Sequence, residues 1–244
     1  MSSIRGLQKT TLIDYPGKIS CIVFFSACNF RCPFCHNKDL VLESDHLPQF
    51  SEKEILDFLK SRKGILEGVV LTGGEPLLYP HIKSFIKKIK ALGFLIKLDT
   101  NGTNPKILKA LVEKKLVDYV AMDFKAPLKK YEKAVGVKVN KKAILETMSF
   151  LISGKIDYEL RTTVVPGIHS NEDLLKMAGR LRDLVISCQL SIVNCQLNWF
   201  LQQFRPSNCL DQKFNKLTPY PKSFYDQILP KLRQIIPKTF LRGI

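Results

Sequence analysis

Cys28, Cys32 and Cys35 stand at spacing C-x3-C-x2-C within the stretch CNFRCPFCHN, residues 28–37. Three thiols that close together limit the chemistry. A disulfide uses two and leaves one over. A structural zinc site takes four ligands, usually as two separated pairs. A four-iron four-sulfur cluster normally takes four cysteines, so three would leave one iron open to an outside ligand. The spacing alone keeps zinc and cluster both in play. A second stretch, Thr72-Gly73-Gly74-Glu75-Pro76, sets two glycines beside a carboxylate. Glycine permits unusual dihedrals and close approach of backbone to a ligand, although an ordinary strand-to-helix turn would use the same residues. Further on come Asp99-Thr100-Asn101-Gly102, Asp123-Phe124-Lys125 and Arg161-Thr162-Thr163. Arg161 and Thr163, two apart on an extended chain, point to one face.

The elements that must position these groups are legible from periodicity. Residues 19–25, 68–72, 94–99, 119–123, 158–165 and 190–195 are predicted strands, short and rich in β-branched or aromatic residues. Between and after them, helical patterns cover 51–61, 79–92, 105–114, 141–153, 171–184 and 223–235. The first opens on a capping box, Ser51 with Glu54. The helix at 79–92 carries Ile82, Phe85, Ile86 and Ile89 on one face, and Asn171 is the predicted cap of its helix. Residues 1–18 are polar and end in an Asp14-Tyr15-Pro16-Gly17 turn, residues 38–50 read as loop, and a short tail follows around 239–241. Alternating strand and helix imply one α/β domain, 1–244, with a parallel sheet. Its core is expected at about 19–197, with a C-terminal extension at about 198–244. Six units are too few for a full eight-stranded barrel, so a partial (β/α)6 barrel is expected. The polar motifs cluster at the C-terminal ends of the predicted strands, the face that carries the site in parallel barrels.

Bulk properties narrow the setting. Lys and Arg outnumber Asp and Glu, 38 to 22, for a net charge of +16. The excess is scattered as pairs such as Lys87-Lys88 and Lys141-Lys142. That pattern suits a solvated lysine-rich surface, or steering toward an acidic protein partner such as an electron carrier; no nucleic-acid partner is expected. No apolar stretch approaches a membrane span. The first twenty residues contain Arg5, Lys9, Asp14 and Lys18 without a hydrophobic leader. A cytoplasmic protein is expected, in which clustered cysteines serve as metal ligands before disulfides. Cys21 falls in a predicted strand as a small buried residue. Cys188, Cys195 and Cys209 lack zinc-site spacing and are expected to be core or incidental thiols.

The C-x3-C-x2-C loop followed one unit later by a Gly-Gly-Glu-Pro turn resembles the radical S-adenosylmethionine superfamily. Gly6-Leu7-Gln8-Lys9, Leu12 to Lys18 (LIDYPGK), Cys35-His36-Asn37, Met122-Asp123-Phe124-Lys125, Val164-Val165-Pro166-Gly167 and Gln202-Gln203-Phe204-Arg205-Pro206 narrow the resemblance. They are similar to the glycyl-radical-enzyme activase branch, and most of all to activators of anaerobic ribonucleoside-triphosphate reductase. The resemblance implies that Cys28, Cys32 and Cys35 hold a four-iron four-sulfur cluster. Its open iron would take the amino and carboxylate groups of S-adenosylmethionine, and reduction would yield a radical that abstracts a hydrogen atom. It further implies that Phe34 lies near the adenine, and that Gly73, Gly74 and Glu75 receive the methionine amino group. Asp99 and Asp123 would help hold a monovalent cation beside the methionine carboxylate. Lys125, Arg161, Thr163 and Asn101 would contact S-adenosylmethionine, Asn101 alternatively forming only its turn. His36 could tune the cluster by hydrogen bonds to sulfur. Gln202, Gln203 and Arg205 could meet a protein substrate, or belong to a loop anchored by Trp199, Phe200 and Phe204. The implied partners are a glycyl radical enzyme and a flavodoxin or ferredoxin electron donor. The rival functions are a radical enzyme acting on a deazapurine precursor, a peptide or an RNA base, and a zinc- or cluster-binding module without catalysis. Ala27 departs from the glycine common in relatives, and would be tolerated on extended backbone.

Overall fold

A computed structural model describes residues 2–42, 44–190 and 197–243. Eight strands are ordered along the sheet as they are in sequence. They are β1 (Ile4–Thr11), β2 (Ser20–Phe25), β3 (Gly68–Gly73), β4 (Leu95–Thr100), β5 (Tyr119–Asp123), β6 (Asp157–Val164), β7 (Trp199–Gln203) and β8 (Thr239–Arg242). Helices α1 (Lys38–Leu42), α2 (Glu52–Ser61), α3 (Ile82–Ala91), α4 (Pro105–Glu113), α5 (Tyr131–Val135), α6 (Lys141–Ile152), α7 (Asn171–Ser187) and α8 (Lys222–Ile235) intervene. The expected mixed α/β class with a mostly parallel sheet is met: β2–β3, β3–β4, β6–β7 and β7–β8 pair in parallel, and β1 pairs antiparallel with β2.

The chain packs as two compact units. The first comprises Met1–Asn29, Asn37–Thr100 and Lys106–Ala121; the second comprises Phe30–His36, Asn101–Pro105 and Met122–Ile244. In the first unit, Cys21, Val23, Val69, Val70, Leu71, Ile96 and Leu98 are fully buried, as expected of parallel strands covered on both faces. The predicted stripe of α3 is buried whole, and the Ser51–Glu54 capping box of α2 forms as expected. Tyr15, Ile22 and Val70 pack together with Phe24, Leu95 and Tyr119 against them. In the second unit, Trp199 is fully buried and its indole N–H donates to Thr162 Oγ1 at 2.9 Å. There α7 packs along α6 and α8.

Several expectations are corrected. Residues Ile4–Thr11 form a strand rather than a polar lead-in. Toward its C-terminal end, where its pairing with β2 is irregular, it carries exposed Gln8, Lys9 and Thr10, so it lacks a buried strand's apolar run. The stretch read as loop at 38–50 holds α1 and a 3-10 turn at Ser44–His46. The C-terminal extension, in which a helix and a short tail are expected, also contains β7, and the tail is β8. The cap of α7 is Ser170, in a capping box with Asp173, not Asn171, which is the first helical residue. The short α5 went unread because five residues carry too little periodicity. The strand expected at 190–195 lies, beyond Leu190, outside the described residues. Cys21 is buried and its thiol is pushed up to about 12 by burial, as a small core residue should be. Among the described residues no helix is long and apolar enough to cross a membrane.

Candidate functional site

In the first unit the Gly-Gly-Glu-Pro turn is locked to the start of the cysteine loop. The Gly74 N–H donates to the Phe25 carbonyl and the Glu75 N–H to the Ala27 carbonyl, both at 2.8 Å. A methyl group on Gly74 would lie 2.0 Å from the Ala27 oxygen, and one on Gly73 2.5 Å from the Phe25 oxygen. Gly73 also takes φ +116°. Both glycines are thus demanded by the chain's own backbone. Ala27 adopts φ 65°, so the extended backbone on which alanine was expected to sit is not what the loop uses. The left-handed conformation explains why glycine suits this position. Asn37, just past the cysteines, donates from Nδ2 to the Gly73 carbonyl at 2.8 Å and ties the other end of the loop to the same turn.

Glu75 is fully buried. It accepts from the Leu77 N–H at 3.1 Å and the Thr100 hydroxyl at 2.9 Å, so it joins the end of β3 to the end of β4. Asp99 accepts from Lys97 Nζ at 2.5 Å and from the Thr72 hydroxyl at 3.4 Å. Lys97 is 2% exposed. Sequence reasoning passed over it, although a lysine inside the apolar run Leu95-Ile96-Lys97-Leu98, two residues before an aspartate, was the available signal: i and i+2 share a face of a strand.

The second unit holds Cys32, Cys35, Phe34, Asp123, Lys125, Arg161, Thr163 and Asn101. Asp123, the last residue of β5, receives Lys125 Nζ at 2.9 Å on one oxygen and Arg161 Nε at 3.0 Å on the other. Burial pushes its carboxyl up, but Arg161 and Lys125 outweigh this and hold it at about 2. Lys125 is likewise discharged by burial and recharged by Asp123, Cys32 and Cys35, with the net direction above an ordinary lysine. The pair is therefore not a loose surface salt bridge; the side chains are 26% and 17% exposed and the aspartate is shared with Arg161. Arg161 and Thr163 share a face, while Thr162 between them is buried and donates to the Phe124 carbonyl. Asn101 accepts from the Thr103 N–H and hydroxyl at 3.0 and 2.6 Å, bonds that close its turn.

Two supports in this unit were not anticipated. The segment after β7 clasps the cysteine loop: Leu210 N–H donates to the Cys35 carbonyl at 3.0 Å and Asp211 N–H to the Pro33 carbonyl at 2.9 Å. Phe34 is buried, its ring 6.4 Å from that of Phe214, and His36 Nε2 donates to the Arg205 carbonyl at 2.8 Å. The stretch containing Arg205 is thus an anchor of the loop. On the other flank, the Arg31 N–H donates to the Val135 carbonyl, and Gly136, at φ 71°, lets the Arg31 carbonyl approach where a side chain would clash at 2.2 Å. The second support is His169. It accepts from the Val165 N–H on Nδ1, so Nε2 carries the proton and donates to the Lys125 carbonyl at 2.9 Å.

Cys28, Cys32 and Cys35 form no disulfide. Among the described residues no three His, Cys, Asp or Glu side chains gather as ligands to a single metal ion. The donor set suits an iron–sulfur cluster: it consists of cysteines alone, and Cys32 and Cys35 lie close enough to Lys125 to favour its charged form.

A family model described as the Radical SAM superfamily matches residues 22–181. The chain belongs to the radical SAM superfamily. This radical SAM chain is 34% identical over 250 residues to a Methanocaldococcus jannaschii protein assigned as a glycyl-radical enzyme activating enzyme, covering 99% of the chain and 96% of the relative. It is 27% identical over 195 residues to the pyruvate formate-lyase 1-activating enzyme of Escherichia coli, covering 74% and 75%. Among solved structures it resembles Streptococcus suis SuiB bound to the precursor peptide SuiA, with TM-score 0.66 at 14% identity over 91% of the chain and 48% of SuiB. It spans about half of SuiB's length, and that likeness concerns the fold: the α/β partial-barrel class expected from the sequence is the one the radical SAM chain shares.

Proposed function

We propose that this radical SAM enzyme, a glycyl-radical-enzyme activase, serves an anaerobic ribonucleoside-triphosphate reductase, removing a hydrogen atom from a backbone glycine of that partner. The observation that carries the activase reading is the 34% identity running through nearly the whole of both chains. The choice of reductase rests on the motifs from LIDYPGK to QQFRP. Residues 1–244 would act as one catalytic domain, with electrons from a flavodoxin or ferredoxin.

Cys28, Cys32 and Cys35 would hold the four-iron cluster. When bound, the cluster and S-adenosylmethionine supply a one-electron reduction of a sulfonium and, from it, a hydrogen-abstracting carbon radical. The chain's own residues do the rest. Gly73 and Gly74 bring the turn backbone against the loop, and the buried Glu75 keeps that turn rigid through Leu77 and Thr100. Lys125 would keep the cluster's thiolates compensated and reach the methionine carboxylate, with Asp123 holding the ammonium and Arg161 holding Asp123. Arg161 and Thr163 present polar groups along one face of β6 for the rest of the cosubstrate, with Asn101 shaping its turn. Phe34, buried against Phe214, would give the adenine its apolar wall. No acid or base is required of the protein, because a hydrogen atom is moved.

The test mixes the anaerobically reconstituted, reduced protein with S-adenosylmethionine and a reductase, and reads electron paramagnetic resonance. A glycine-centred doublet is expected. No doublet with a reductase, but one with a lyase, would reject the choice of partner; no doublet with any glycyl radical enzyme, while S-adenosylmethionine is still cleaved, would reject the activase reading. A colourless protein that holds zinc would reject the radical chemistry altogether.

A further inference from the structure

The resemblance that implies a cluster also implies a monovalent cation held by Asp99 and Asp123, and this chain does not fit it. Asp99 already carries a cation of its own. Lys97 reaches it from two residues back along the same face of β4, ammonium on one carboxylate oxygen and the Thr72 hydroxyl on the other. The lysine side chain is 2% exposed and the aspartate 14%, so this is a pair taken out of water. A charged group so buried is kept only where a counter-charge meets it. In register beside Lys97 lies Val70, part of the apolar cluster of Tyr15 and Ile22, which offers the ammonium no other charge. Asp123 is in the same condition within its own unit: both oxygens are taken, by Lys125 and Arg161, two positive charges on one carboxylate. An additional sodium or potassium ion would find no uncompensated carboxylate at either aspartate.

We propose that Lys97 is a positioning residue whose tethered ammonium takes the place of the monovalent cation at Asp99, so that S-adenosylmethionine binding by this chain is independent of potassium and sodium. An ammonium is a compact, strongly hydrated point charge, the nearest side-chain equivalent of such an ion. The part concerning S-adenosylmethionine rests on the functional reading above; the part concerning the ion does not.

The experiment compares the reconstituted wild type with Lys97→Met and Lys97→Gln in potassium chloride and in choline chloride of equal ionic strength. Two quantities are read: S-adenosylmethionine affinity by equilibrium dialysis, and the thermal midpoint. The wild type should be the same in both salts by both measures. Lys97→Met takes the ammonium away from the partly buried Asp99; its affinity should fall about tenfold or more in choline and recover in potassium, with a thermal midpoint higher in potassium. Lys97→Gln keeps a donor without the charge and should show the same dependence if Lys97→Met does not fold. A wild type that needs potassium for affinity or stability overturns the proposal, and so does a folded Lys97 variant indifferent to it. If the wild type binds no S-adenosylmethionine in either salt, the functional reading fails, while the thermal comparison still decides whether Lys97 fills an ion's place.

Discussion

At the scale of residues, the loop around the cysteines is governed by backbone contacts more than by side chains. Ala27 sits at φ 65° while its carbonyl receives the Glu75 N–H. Left-handed backbone costs an alanine about 1–2 kcal/mol, against about 0.4–1 kcal/mol of unfolded-chain entropy that glycine adds. Ala27→Gly should therefore stabilise the protein by roughly 0.5–1 kcal/mol, seen as a higher denaturant midpoint at unchanged slope. The neighbouring glycines have no such latitude, since any side chain on Gly74 meets the Ala27 carbonyl. From sequence, the glycines were read as making room for a ligand. The structure shows that they first make room for the loop that carries the cysteines.

At the scale of elements, the end of β7 and the segment after it act as a strap. Arg205, Leu210 and Asp211 bond to His36, Cys35 and Pro33, and Phe214 covers Phe34. An aromatic pair of this kind contributes about 1 kcal/mol beyond its buried area. Phe214→Ala should loosen the strap without unfolding the sheet. Amide exchange at Leu210 and Asp211 is expected to quicken by about a factor of five or more, with the amides of β2 and β3 unchanged. Uniform quickening across the chain would mean that Phe214 supports the fold and not the strap. The sequence offers Trp199, Phe200 and Phe204 here as anchors of a loop, but not its fold-back onto the cysteines, because hydrogen bonds between main-chain atoms leave no mark on residue type.

At the scale of the whole molecule, pH provides a handle through His169. The ring is buried and neutral, its pKa lowered to about 4 by burial, which outweighs the hydrogen bonds to Lys125 and Val165 and the nearby Asp173 that favour its charge. A depressed histidine makes the unfolded chain bind the extra proton between its own pKa and the folded one. The stability is thus fully present above about pH 6.5 and is lost as pH falls toward 4, by about 3 kcal/mol in all. Asp123, depressed to about 2, adds a second loss only below the ordinary carboxylate range. Denaturation from pH 7 to 4 should show a slope of about one proton, which His169→Gln abolishes. Because His169 Nε2 holds the Lys125 carbonyl, the same protonation should unsettle the Asp123–Lys125–Arg161 group.

The sequence by itself determined the α/β alternation, the cysteine triplet and the motif residues at strand ends, because each is written in local periodicity or in residue types close together in the chain. The buried stripe of α3 and the capping box of α2 were legible for the same reason. What only the tertiary structure decided are pairings between distant residues: Glu75 with Thr100, Asp123 with Arg161, the strap on Pro33 and Cys35, and His169 under Lys125. Lys97 belongs to both. Its type and its spacing from Asp99 were on view, but burial decided their meaning. In water a lysine beside an aspartate contributes little, whereas in the interior of a sheet it must be paired, and Asp99 supplies that pair.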